Sequence, residues 1–174
     1  MATKKLPEQA YLRQCFDYDR STGVVIWKER PSEHFPHMTE CRRWNGRFAG
    51  REAGSPVNGR HLQTAINGVN FLLHRVVWKL ETGEDVDEID HRDRNGLDNR
   101  WENLRPATRY TNMQNRGKIR VGLKGAYRHR CGWTSRISSG GKQQYLGLFH
   151  TEEDAHAAYC KAARELHGEF ANFG

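Results

Sequence analysis

Ile89-Asp90-His91-Arg92-Asp93-Arg94-Asn95-Gly96-Leu97-Asp98-Asn99-Arg100-Trp101-Glu102-Asn103-Leu104-Arg105 is the stretch on which the reading of this chain turns. Glu88 to His91 reads as a short strand. The loop that follows, 92–99, contains one apolar side chain and is dense in Asp, Asn and Gly. Asp93, Asn95 and Asn99 are expected to build it through local side-chain hydrogen bonds. Residues 101–105 then lead into a helix expected from about Ala107 to Asn115. His91 is the side chain whose ordinary pKa lies nearest neutrality, so it is the candidate general base. Asp90 adjoins it, and Asn103 and Asn112 add amide oxygens. A base beside oxygen ligands for a cation is the equipment that phosphodiester hydrolysis requires.

Upstream, His61–Ile66 and Val69–Leu72 flank Asn67-Gly68, a strong hairpin signal. Leu73–Leu80 continues as a helix stopped near Gly83. At the start of the chain, Pro7 opens a short helix over 7–16, Ser21-Thr22-Gly23 is a turn, and 24–27 is a strand. Residues 29–59 are rich in Gly, Pro, Arg and Asn and weakly periodic, and read as a long, partly irregular insertion. Downstream, strands are expected at 125–130, 133–138 and 143–149. A helix capped by Thr151 then carries Ala155, Ala158, Tyr159, Ala162, Ala163 and Leu166 on one face and ends at Gly168.

The formal net charge is +7 over 174 residues, and its distribution matters more than its sum. No acid occurs between Glu102 and Glu152, while Arg105, Arg109, Arg116, Lys118, Arg120, Lys124, Arg128, Arg130, Arg136 and Lys142 do. Such a stretch is a footprint for a polyanion. No apolar run is long enough to span a membrane. The N-terminus lacks the apolar segment of a signal peptide, so a cytoplasmic location is expected. The four cysteines form no C-x-x-C pair, which argues against a zinc ribbon and for free thiols.

The run Ile89–Arg105, followed by Ala107-Thr108 and Asn112-Met113-Gln114-Asn115, resembles the HNH homing endonucleases of phages and introns. His74-Arg75-Val76-Val77-Trp78 and the Asp17-Tyr18-Asp19…Gly23-Val24 opening resemble that family's flanks, so the likeness covers roughly residues 10–116. It implies a two-stranded ribbon and a helix around one divalent cation. His91 would activate water, Asn103 would orient its imidazole, and Asp90 and Asn112 would hold the metal, with Asn115 the alternative to Asn112 as the ligand on the helix. Oxygen ligands favour Mg²⁺ or Mn²⁺ over Zn²⁺. On this reading His74 packs or contacts DNA rather than ligating metal. Arg105 either holds a DNA phosphate or makes a structural ion pair.

The C-terminal run Lys124-Gly125-Ala126-Tyr127-Arg128…Trp133-Thr134-Ser135-Arg136-Ile137…Tyr145-Leu146-Gly147-Leu148-Phe149…Ala158-Tyr159 resembles the Apetala/ethylene-response-factor DNA-binding domain. Strand alternation puts Trp133, Ser135, Ile137, Leu146 and Leu148 toward the helix. Arg128, Arg130, Arg136, Gln143 and Tyr145 are expected to face DNA. Together these readings predict an α+β chain: a ββα-metal nuclease domain over 1–116, a linker at 117–124, and a domain of three antiparallel strands on one helix over 125–174. The expected activity is metal-dependent cleavage of double-stranded DNA at a preferred site, by a monomer or a homodimer. The alternative is a DNA-binding protein with an inactive nuclease fold.

Overall fold

The computed structural model describes residues 5–115 and 122–174. The chain packs as two compact units, Met1–Pro106 and Ala107–Gly174. Of the expected linker 117–124, residues 117–121 lie outside the described ones, as do Arg116, Lys118 and Arg120.

In the first unit, helix α1 (Gln9–Cys15) buries Leu12 and Cys15 and passes directly into strand β1 (Phe16–Tyr18). β1 pairs antiparallel with β2 (Val25–Trp27), placing Phe16 opposite Trp27. Strands β3 (Ser55–Val57), β4 (His61–Ile66) and β5 (Val69–Leu72) form a sheet in that order. Asn67 and Gly68 join β4 to β5 with φ of 50° and 77°, the double positive φ that a two-residue hairpin turn demands. Helix α3 (Leu73–Thr82) follows β5 without a gap and stops at Gly83, whose φ is 78°. Leu73, Val76 and Val77 on α3 are fully buried with Ile66, Leu12 and Val25 at the centre of the core. Each such side chain stabilises the fold by about 1.5–3 kcal/mol, which makes α3 the anchor of this unit.

Strand β6 (Glu88–His91) and strand β7 (Leu104–Ala107) form a two-stranded sheet, bridged by the loop and a single 3-10 turn at Trp101–Asn103. Helix α4 (Arg109–Gln114) comes next in the chain, completing the ββα order. Thr108 caps α4 in a reciprocal box with Thr111. The expected helix start at Ala107 is displaced because Ala107 still belongs to β7.

The second unit contains α4, the antiparallel strands β8 (Ala126–His129), β9 (Gly132–Ser139) and β10 (Lys142–Phe149), and helix α5 (Glu152–His167). The strand order is β10-β9-β8. Ile137 packs on Tyr159, Ala162 and Ala163 of α5. This three-stranded sheet on one helix, with the ββα element before it, is the expected α+β architecture. α4 is tied into this unit by its ends: the Tyr110 hydroxyl meets Gly140 N, Lys124 Nζ reaches Gln114 O, and Asn172 Nδ2 donates to Asn115 O.

One feature adds to the sequence reading and two depart from it. Residues 29–59, expected to be partly irregular with no element named, contain helix α2 (Met38–Phe48) and β3. Cys41, Trp44 and Phe48 turn toward the core at helical spacing, but the polar residues between them mask the period. Leu148 does not point inward. A bulge between Tyr145 and Gly147 shifts the register, so Leu148 pairs with Thr134 and is 48% exposed. Arg128 pairs with Trp133, on the helix side by strand parity, and its guanidinium lies over the Trp133 ring.

Candidate active site

His91 ends β6, and both it and Asp90 are buried there. Two further histidines reach it from distant parts of the first unit: His61 from the start of β4 and His74 from the first turn of α3. The ring centres lie 5.0 Å apart for His74–His91, 5.4 Å for His61–His74 and 5.8 Å for His61–His91. One ligand atom from each falls within 4.8 Å of the other two, so the three form a cluster able to coordinate a metal ion. The Nδ1 atoms of His61 and His74 are buried without a hydrogen-bond partner among the described residues.

Burial pushes the His74 pKa down to about 3, helped by the nearby imidazoles of His91 and His61 and by Arg75. Burial also lowers the His91 pKa, against a hydrogen bond to Asn99 that raises it, and the nearby His61 imidazole lowers it further. Both rings are therefore neutral near pH 7, and a neutral imidazole can accept a proton. Asn99 Oδ1 stands 3.4 Å from His91 Nε2.

The loop that presents Asn99 is built from several directions. Asn103 was expected to orient the imidazole. Its side chain instead closes the loop: Nδ2 donates to Asp93 Oδ1 at 2.9 Å and to Asp98 O at 2.8 Å, and Oδ1 accepts from Asp93 N at 3.0 Å. The Tyr18 hydroxyl donates to Asn99 O at 2.8 Å, and Trp101 N bonds Arg20 O. Gly23, with φ 77°, leaves no room for a Cβ against Asn99 and Arg100. The β1–β2 hairpin thus buttresses the loop from outside. Gly96 does the same from within, since a Cβ there would strike Arg60 O and the His61 imidazole.

Asp90 accepts at Oδ2 from Arg105 Nη2 at 2.6 Å and Nε at 2.9 Å, and both residues are buried. Of the two roles left open for Arg105, the structural ion pair is present, and a guanidinium 3% exposed is not placed to meet a DNA backbone. Asn112 lies half-buried on α4. In the second unit, Arg136, Gln143 and Tyr145 share the exposed sheet face with Tyr127 and Leu148, as the pairs Tyr145–Arg136, Gln143–Ser138, Leu148–Thr134 and Tyr127–Thr134 show. Arg130 is exposed in the β8–β9 turn rather than in a strand.

Residues 71–114 match the family model described as HNH endonuclease. The chain carries an HNH-type nuclease domain. No curated protein and no solved structure matches the chain. The HNH match includes His74, Asp90, His91, Asn103, Arg105 and Asn112, but it excludes His61. His61 and His74 are the site residues that sequence reasoning missed. They stand 30 and 17 positions before His91, and no local spacing signals that a hairpin and a helix will bring them to it.

Proposed function

We propose that this protein is a metal-dependent endonuclease that hydrolyses phosphodiester bonds in double-stranded DNA, with His91 as the general base. The observation that carries this reading is the buried His91 imidazole, in contact with Asn99 at the end of β6 within the segment that matches the HNH family model. Asp90 and Asn112 are assigned as oxygen ligands to one Mg²⁺ or Mn²⁺. The pairing of Asp90 with Arg105 suits this assignment, because it holds the carboxylate in one orientation. When bound, the cation neutralises charge on the phosphate and on the departing oxygen.

His91 accepts the proton of a water molecule as its oxygen attacks phosphorus and the ester P–O bond breaks. Asn99 contacts and orients the imidazole, and Asn103 fixes the loop behind Asn99. The exposed sheet face of the second unit is assigned to DNA, with Arg136, Gln143 and Tyr145 toward base edges. Arg128 and Arg130, exposed outside that face, are assigned to phosphates. This resembles the use of the sheet in Apetala-type domains and agrees with the acid-free stretch from Asn103 to Thr151.

The test is incubation of supercoiled plasmid with the full chain and Mg²⁺, with and without chelator, beside His91→Ala. Cutting by the wild type alone, abolished by chelator, is expected. Open-circular against linear product tells nicking from double-strand cleavage. DNA binding without cutting under Mg²⁺ or Mn²⁺ would mean that the nuclease domain is inactive and that the chain is a DNA-binding protein.

A further inference from the structure

We infer that His61, His74 and His91 form a second metal site, selective for a zinc-like d-block cation, and that filling it switches the nuclease off. The inference rests on the reading of His91 as the base, because an imidazole nitrogen bound to metal cannot take a proton from water.

The geometry is that of a three-histidine site. Three imidazoles on one tetrahedral ion, with metal–nitrogen bonds of about 2.0–2.1 Å, hold their ring centres roughly 5 Å apart. The three pairs here span 5.0–5.8 Å, with ligand atoms already within 4.8 Å of one another. Small side-chain rotations close the remainder. Each ring is held by a different element of one packed unit: β4, α3 and β6. His74 is 6% exposed, and its Nδ1 finds no hydrogen-bond partner among the described residues. A buried polar atom without a partner costs stability, and coordination would remove that cost. His61 is only partly buried, whereas His74 and His91 are buried.

The donor set separates this site from the one assigned to Mg²⁺. Neutral imidazoles suit zinc, copper and nickel, whereas Mg²⁺ demands oxygen ligands. None of the three histidines is an oxygen donor. Two cations can therefore act on one nuclease in opposite senses, with His91 as the shared element.

The experiment uses the full-length protein stripped of metal, with Co²⁺ as a spectroscopic probe and Zn²⁺ as its competitor. One equivalent of Co²⁺ should give the visible absorption of a tetrahedral site, Zn²⁺ should bleach it, and an excess of Mg²⁺ should leave it unchanged. His74→Gln and His61→Gln should each lose the band. His61 is the less buried of the two, so its variant guards against a loss that only reports unfolding, which circular dichroism checks. In parallel, one equivalent of Zn²⁺ should slow Mg²⁺-driven plasmid cleavage by about 10²–10⁴, the cost of losing a general base. A brief exposure to a zinc-selective chelator should restore it. Cleavage with no tetrahedral Co²⁺ band overturns the site. A band that coexists with undiminished Mg²⁺ cleavage overturns the switch. A band in a protein that never cleaves DNA confirms the site and removes the nuclease reading instead.

Discussion

Asp90 and Arg105 are joined by two hydrogen bonds, at 2.6 Å and 2.9 Å, with both side chains shut away from solvent. The pair links β6 to β7 directly behind His91. Removing one partner of a buried pair strands the other charge, at a typical cost of about 3–5 kcal/mol. Arg105→Ala should therefore lower the urea midpoint sharply and abolish cleavage. Arg105→Lys, which keeps the charge but not the two-pronged contact, should recover part of the stability. An Arg105→Ala protein with wild-type stability would show that the pair does not hold the hairpin together.

The His74 pKa, about 3 in the folded chain against an ordinary 6.5, makes metal-free protein sensitive to mild acid. Between those values the unfolded chain takes up a proton that the folded chain refuses. Stability is complete above pH 6.5 and is lost as the pH falls through this window, by at most about 1.4 kcal/mol per pH unit. Urea unfolding of chelator-treated protein from pH ~7.5 down to ~5 should show this slope. His74→Leu should flatten it, and an unchanged slope in that variant would assign the acid sensitivity to another group.

Gly96 lets the loop lie directly on His61, and a Cβ there would collide with Arg60 O and the imidazole. Backbone cannot yield as a flexible side-chain tip can. Gly96→Ala should cost about 1–3 kcal/mol, as overpacking does, and should depress cleavage more than DNA binding. Unfolding midpoints and cleavage rates measured together decide this; equal losses in binding and cleavage would argue that the loop does not serve the chemistry.

Arg136 and Arg128 should behave differently although both are exposed arginines near the same sheet. Arg136 is registered with Tyr145 on the open face, whereas Arg128 lies over Trp133 on the other. Arg136→Ala should reduce discrimination between DNA sites by about 1–3 kcal/mol. Arg128→Ala should weaken binding evenly across sequences and reduce the salt slope by about 0.9. Filter binding against salt on matched and scrambled DNA measures both, and identical behaviour of the two variants would remove the distinction between the faces.

One thiol should react far ahead of the rest. Cys131 is exposed in the β8–β9 turn, Cys41 is buried, and burial raises the pKa of Cys160 and pushes that of Cys15 up to about 11. Titration with a disulfide reagent near pH ~8 should show a single fast thiol, absent in Cys131→Ser.

The ββα order, the 61–72 hairpin, α3 with its stop at Gly83, and the three strands backed by α5 were all legible in the sequence. Each rests on local chemistry: turn residues that need positive φ, caps, and periods of two or 3.6 residues. Asp90, His91, Asn103 and Asn112 stand out in the sequence because their spacing resembles a known motif, but the side chain of Asn103 closes the loop instead of meeting the His91 ring. What surrounds His91 was not legible. His61 and His74 reach it only because β4, α3 and β6 share one core, and Asn99 rather than Asn103 meets the ring because the loop folds back on itself. The facing of Leu148 depended on one bulge that changed the register of β10. Local rules determine which element forms, whereas burial decides which distant side chains must share a space, and that packing arises only when the whole unit closes.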